Sequence, residues 1–170
     1  MRKLEKVFNI IDSVNEKLGS VISYSLIVVM LIQVMEVILR SIFNNPTIWA
    51  WDVNVLIFAT SGMLAGAYAL LHDTHVRLDI LYRNWSPRGK AIADLITFPV
   101  VLLTFAVLIW QGGDMAWTSF KTGERVYSYF APILWPARFC LPIAAFLLAL
   151  QAIVKHARLF IFVRRRDSES

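Results

Sequence analysis

Two stretches of this chain, Val53 to Leu71 and Leu95 to Gly113, each run 19 residues without a charged side chain. At ~1.5 Å rise per residue such a run crosses a ~30 Å hydrocarbon layer as a helix. Two further runs follow the same rule. Leu18 to Met35 holds 18 uncharged residues, and Phe139 to Val154 holds 16, lengthened by Ala131 to Ala137 ahead of Arg138. The fold class expected is an all-α membrane protein with four transmembrane helices in a single membrane domain over residues 1–170. The spans fall at 18–42, 49–71, 87–117 and 136–163, joined by a central loop at 72–86 and a second long loop at 118–135.

With 58% of its residues hydrophobic, the chain keeps polar segments of about 20 residues at most, short of what an independent core needs. A soluble catalytic domain is therefore excluded. Charge carries information through its placement. Four Lys and Arg precede the first span, four lie in the central loop and five close the chain, whereas the alternate loops hold Arg40, Lys121 and Arg125, with Arg138 at the start of span four. This is the positive-inside pattern, and it predicts cytoplasmic termini and a cytoplasmic central loop. The basic groups flank spans, so phospholipid rather than nucleic acid is their expected partner. Met1 to Ser20 lacks a continuous apolar h-region, being broken by Glu5, Lys6, Asp12, Asn15, Glu16 and Lys17, and reads as retained. Cys140 is the single cysteine, so neither an intrachain disulfide nor a cysteine-rich metal site is expected.

Leu4, Val7, Phe8, Ile11, Val14 and Leu18 recur three or four apart, which predicts an amphipathic helix over 1–17 lying in the interface. Glu36 and Arg40 stand four apart near the outer end of span one. That pair reads as an ion pair orienting the helix, as a contact with another polypeptide, or, with Glu36 less well placed for it, as a proton carrier. After the turn signal Asn44-Asn45-Pro46, Trp49 and Trp51 sit where an aromatic belt belongs, and Asp52 occupies the first turn of span two, where the helix dipole favours an acid. Gly62 and Gly66 form a four-residue repeat that admits a close helix neighbour. In the central loop His72, Asp73, His75 and Asp79 fall short of a metal site for want of a third strong ligand. Ser86-Pro87 reads as the N-cap and first residue of span three, and Pro99 is expected to kink it or be accommodated. Beginning span four near Pro136 puts Arg138 level with Glu36, Arg40, Asp52 and Asp114. A polar outer cluster is expected there, with Arg138 compensated by Glu36 or Asp114.

Apart from hydroxyls and Gln33 the middles of the spans are apolar, which leaves no ligand set for a coupling ion. His72 and His75 lie in the loop and His156 at a helix end, which disfavours haem ligation, and no phosphate loop, nucleophile elbow or zinc-binding helix motif occurs. No cofactor and no enzymatic activity are expected.

At this point the chain resembles a known family, the small membrane subunit (DctQ-like permease) of tripartite ATP-independent periplasmic (TRAP) transporters. The likeness covers almost the whole chain. It rests on four spans, on Glu36 and Arg40 closing the first, on Trp49 and Asp52 opening the second, and on Gly62 and Gly66 within it. Most of all it rests on His75-Val76-Arg77-Leu78-Asp79 followed by Ser86-Pro87-Arg88-Gly89, with Pro136 and Pro142 around the start of span four. Arg138 departs from the apolar residue expected there. The resemblance implies a bacterial inner-membrane protein that scaffolds a large permease subunit. That large subunit would drive sodium-coupled uptake of an organic acid brought by a periplasmic substrate-binding protein. It implies positioning roles for Arg77 and Asp79, at helix ends or against the large subunit, and a docking surface shaped by Glu36, Arg40, Asp52, Arg125 and Arg138. Two other readings remain: a self-sufficient homodimeric antiporter exchanging protons through Glu36, and an anchoring subunit of an unrelated membrane complex.

Overall fold

The computed structural model describes residues 2–72 and 87–167, with side chains placed over 5–72 and 97–158. Each uncharged run lies inside one α-helix: α1 (Arg2–Ser41), α2 (Ala50–Leu71), α3 (Pro87–Thr122) and α4 (Trp135–Asp167). All four are long and apolar enough to cross a membrane. At ~1.5 Å per residue they extend ~60, ~33, ~54 and ~50 Å, so α2 matches a ~30 Å hydrocarbon core and α1, α3 and α4 reach well beyond it. Pro99 and Pro142 lie inside α3 and α4 without ending them.

The first helix differs from the sequence reading. No separate amphipathic element is present, because the backbone stays helical from Arg2 to Ser41. Two features account for the continuity. No proline interrupts the segment, and the glycine near the boundary, Gly19, faces the ring of Tyr68, so its missing side chain is where α2 comes closest. The charged turns before it are tied to α4 rather than left to lie alone. Asn15 Nδ2 donates to Gln151 Oε1 at 2.6 Å, Gln151 Nε2 donates to Asp12 Oδ1 at 3.0 Å, and Arg158 donates to Asp12 Oδ2 at 2.6 Å.

The helices form an open layer in the order α1, α2, α4, α3, with α1 also touching α4. The antiparallel α1–α2 seam keeps one register along its length. Glu36 meets Thr47, Gln33 meets Asn54 at 2.9 Å, Ser25 meets Ser61 at 2.7 Å, and Glu16 meets His72 at 2.8 Å. The antiparallel α3–α4 seam runs from Phe120 against Trp135, through Gly112 against Leu141 and Pro142, to Phe98 stacked on His156. Helix α4 is the central member, packed against α2 and α3 and touching α1.

Small side chains dominate what is buried, namely Ala50, Ala67, Ala116, Ala144, Ala145 and Ala152. Lipid tails are as apolar as leucine, so close approach of backbones, rather than removal of large side chains from solvent, holds such helices together. The large apolar groups accordingly face outward, among them Val21, Leu31, Leu103, Val107 and Trp110. A chain this open suits lipid or a partner protein on both faces.

Two turns complete the end of the layer opposite the termini, called here the hairpin end. After α1, Asn45 N–H bonds the Leu39 carbonyl while Asn44 takes φ 48°, a left-handed conformation its short side chain tolerates. After α3, Gly123 turns the chain at φ 63°. A short antiparallel hairpin follows, with Val126 N–H on the Pro132 carbonyl and Leu134 N–H on the Glu124 carbonyl.

A Cβ on Gly19 would fall 2.2 Å from the Tyr68 ring, whereas one on Gly62 meets nothing within 4 Å. Gly19→Ala should therefore cost about 1–3 kcal/mol through overpacking, and Gly62→Ala should be neutral or gain up to about 1 kcal/mol in helix propensity. Unfolding of the two variants by titrated denaturing detergent in mixed micelles checks this ranking.

Candidate functional site

At the hairpin end the first polar group is built on the last turn of α1. Glu36 is 6% exposed, and both of its oxygens are used. Oε1 accepts from Arg40 Nη2 at 2.9 Å and Nε at 3.3 Å, one helical turn on. Oε2 accepts the Thr47 N–H at 3.1 Å and the Thr47 hydroxyl at 2.5 Å. The same hydroxyl receives the Ala50 N–H, the first amide of α2, at 3.4 Å. This carboxylate thus pins the turn between α1 and α2, while the Arg40 side chain stays 66% exposed.

Asp52, in the first turn of α2, makes a different contact. It is 7% exposed, and the Ser128 hydroxyl donates to its Oδ2 at 2.5 Å. Ser128 Oγ in turn accepts the Ala131 N–H at 3.0 Å, and the Ala131 carbonyl accepts from Arg125 Nη1 at 3.1 Å. Ala131 sits at φ 46°, a left-handed conformation that costs an alanine roughly 1–2 kcal/mol; it is held by these two bonds.

Arg138 corrects the expectation that Glu36 or Asp114 would compensate it. Its Nη2 donates to Glu124 Oε1 at 2.5 Å. The hairpin explains the exchange of partners, because the Glu124–Leu134 pairing brings Glu124 over the first turn of α4. Glu36 is meanwhile occupied by Arg40 and Thr47, and Asp114 is exposed on α3 and makes no ion pair among the described residues. The expected outer cluster thus resolves into three contacts: Glu36–Arg40–Thr47, Asp52–Ser128 and Arg138–Glu124.

Of the remaining predicted positions, Trp49 is half-buried just ahead of α2. Gly66 meets Leu148 of α4, where a Cβ would fall 3.1 Å from Cδ1, while Gly62 is open. His75, Arg77 and Asp79 lie outside the described residues. Sequence reading missed Thr47, Ser128 and Glu124. Thr47 was recoverable as a hydroxyl three residues ahead of the α2 start, whereas Ser128 and Glu124 depend on the path of the hairpin. It also missed the Asp12–Asn15–Gln151–Arg158 network at the other end, which a buried polar Gln151 within an apolar run would have signalled. Among the described residues no group of three His, Cys, Asp or Glu is placed to hold a metal ion.

The depth profile is the decisive geometry. Charged contacts cluster at the two ends of the layer, and between them the α1–α2 seam carries the uncharged pairs Gln33–Asn54 and Ser25–Ser61. The family described as tripartite ATP-independent periplasmic transporters, DctQ component, matches residues 29–161. The chain belongs to this DctQ family. Its family is one of transporter components rather than enzymes, and the DctQ chain is a multi-pass protein of the inner membrane. A curated relative, the C4-dicarboxylate TRAP transporter small permease protein DctQ of Vibrio cholerae serotype O1 (strain ATCC 39315 / El Tor Inaba N16961), is 25% identical over 116 residues. Those residues are 68% of this chain and 48% of the relative, so the chain spans about half the length of the protein it matches.

Removing one partner of a buried hydrogen bond leaves the other orphaned, at a cost of about 1–3 kcal/mol, while replacing both can be nearly neutral. Asn15 is 0% and Gln151 2% exposed. Gln151→Leu should lower the stability of this DctQ-family chain by that amount, and adding Asn15→Leu should recover part of the loss. A double-mutant cycle of detergent unfolding midpoints measures both.

Proposed function

We propose that this chain is the small permease subunit of a TRAP transporter. It scaffolds a large membrane subunit for sodium-driven uptake of an organic acid delivered by a periplasmic binding protein. Both termini and residues 72–86 face the cytoplasm, as the asymmetry of Lys and Arg implies, which puts the hairpin end on the periplasmic side. The observation that carries this reading is the apolar middle of an open helical layer. A driven transporter needs mid-depth polar groups or broken helices to hold ion and substrate. The middle of the α1–α2 seam offers Ser25 and Ser61 hydrogen-bonded to each other, so the transport path belongs to another subunit. The outward apolar faces of α1 and α3 supply area for that subunit to pack on.

The antiporter reading loses its main residue. A carboxylate that accepts from Arg40 and twice from Thr47 is committed to the α1–α2 turn, which opposes a proton cycle at Glu36. At the periplasmic end, the exposed Arg40 guanidinium and the fully exposed Tyr129 ring stand where a binding protein approaches. Charged and aromatic groups of this kind steer and anchor protein partners.

Affinity capture of the chain from solubilised native membrane, followed by mass spectrometry, should recover one large multi-span permease in equal amount. Recovery of the chain with copies of itself alone overturns the reading. In liposomes holding the whole complex, Arg40→Ala and Tyr129→Ser should each lower binding-protein-dependent uptake several-fold while leaving the captured complex intact; normal uptake in both removes the docking role.

A further inference from the structure

Between the first turns of α2 and the hairpin that joins α3 to α4 lies a groove of ≈ 520 Å³. Its floor and its rim differ in chemistry. Val55 and Leu56 line it from α2, one turn deeper into the span than Asp52, while Asp52 and Arg125 border it with Trp51 and Tyr127 beside them. Trp51 is 71% exposed and Tyr127 fully so. Tryptophan and tyrosine at a span end mark the headgroup level of a bilayer, so the groove runs from that level toward the acyl chains.

The two charges on the rim have opposite signs, and neither neutralises the other. Asp52 is buried, and the Ser128 hydroxyl occupies Oδ2, one of its two oxygens. Arg125 forms no ion pair among the described residues. A guanidinium carries five N–H donors, and the bond to the neutral Ala131 carbonyl uses one. Glu124, which also borders the groove, is matched by Arg138. One carboxylate and one guanidinium are therefore left facing a shared space above an apolar floor. A chain of bonds from Arg125 to Ala131 to Ser128 to Asp52 connects the two.

We propose that this groove binds one molecule of phosphatidylethanolamine. Its ammonium donates to Asp52, its phosphate accepts from Arg125, and an acyl chain lies along Val55 and Leu56. Other common headgroups fit less well. Phosphatidylglycerol brings no cation for the buried carboxylate, and the quaternary ammonium of phosphatidylcholine has no N–H to donate. Arginine suits the phosphate because its planar fork takes two oxygens at once. This site is distinct from the basic residues flanking the spans at the opposite end, which attract anionic lipid without regard to headgroup shape. The site is independent of the identity of the large subunit.

Native mass spectrometry of the full chain in detergent tests the proposal, with phosphatidylethanolamine, phosphatidylglycerol and phosphatidylcholine of matched acyl chains titrated separately. One phosphatidylethanolamine per chain should bind at least about tenfold more tightly than either other lipid, a difference of ~1.4 kcal/mol. Arg125→Ala should weaken all three lipids alike, since each carries the phosphate, and Asp52→Asn should bring phosphatidylethanolamine down to the level of phosphatidylcholine. Equal binding of the three lipids to the unaltered chain overturns the proposal, and so does selectivity that survives Asp52→Asn, or affinity unchanged by Arg125→Ala, in variants retaining native helix content. Should either variant fail to fold, the headgroup ranking on the unaltered chain decides alone. Capture of the large subunit is unaffected by any of these outcomes, so the lipid site and the scaffold role stand or fall separately.

Discussion

Helices in hydrocarbon gain little by exchanging lipid for one another's apolar side chains, so their association rests on close backbone approach and on hydrogen bonds between spans. The α1–α2 seam combines both. Gly19 lets Tyr68 into contact, Ser25 and Ser61 bond at mid-depth, and Gln33 and Asn54 bond nearer the hairpin end. At the limits of the seam Glu36 holds the turn into α2, and Glu16 meets His72. Once α1 and α2 are registered in this way, Gly66 presents α2 to Leu148, and α4 becomes the helix on which both α1 and α3 rest.

The same distribution sets the two ends of the layer apart from its middle. Polar groups that can hold an ion or a charged substrate are concentrated at the two ends, where they tie helices to turns and to each other. Between them lie the uncharged pairs Ser25–Ser61 and Gln33–Asn54, small residues facing inward and large apolar residues facing out. The network of Asp12, Asn15, Gln151 and Arg158 extends these contacts past the uncharged run of α1, so the charged first turns continue the span as one rod.

At the hairpin end, interactions are chained rather than pooled. Arg125, Ala131, Ser128 and Asp52 connect the α3–α4 hairpin to the first turn of α2, although α3 itself packs mainly on α4. The left-handed Ala131 is compensated by bonds at both its N–H and its carbonyl. A hairpin braced in this way leaves the Tyr129 ring exposed.

That the chain holds four helices long and apolar enough to cross a membrane was legible in the order of residues, because an uncharged run of span length has one stable backbone solution in hydrocarbon; that residues 2–17 continue the first of them rather than form a separate helix was not. The Glu36–Arg40 pair was legible too, since a four-residue spacing on one helix brings two side chains together whatever the tertiary fold. The partner of Arg138 was not, because Glu124 reaches it through a hairpin whose course depends on a left-handed alanine and a glycine turn. Nor was the difference between Gly62 and Gly66, which are alike in sequence and distinguished by where Leu148 of α4 falls. Gly19 and Tyr68, far apart in sequence, show the same division. Local periodicity and charge determined the spans and the family's recognisable stretches. The tertiary structure alone decided which polar groups meet across helices, because between lipid-facing spans that choice is made by shape and register rather than by hydrophobicity.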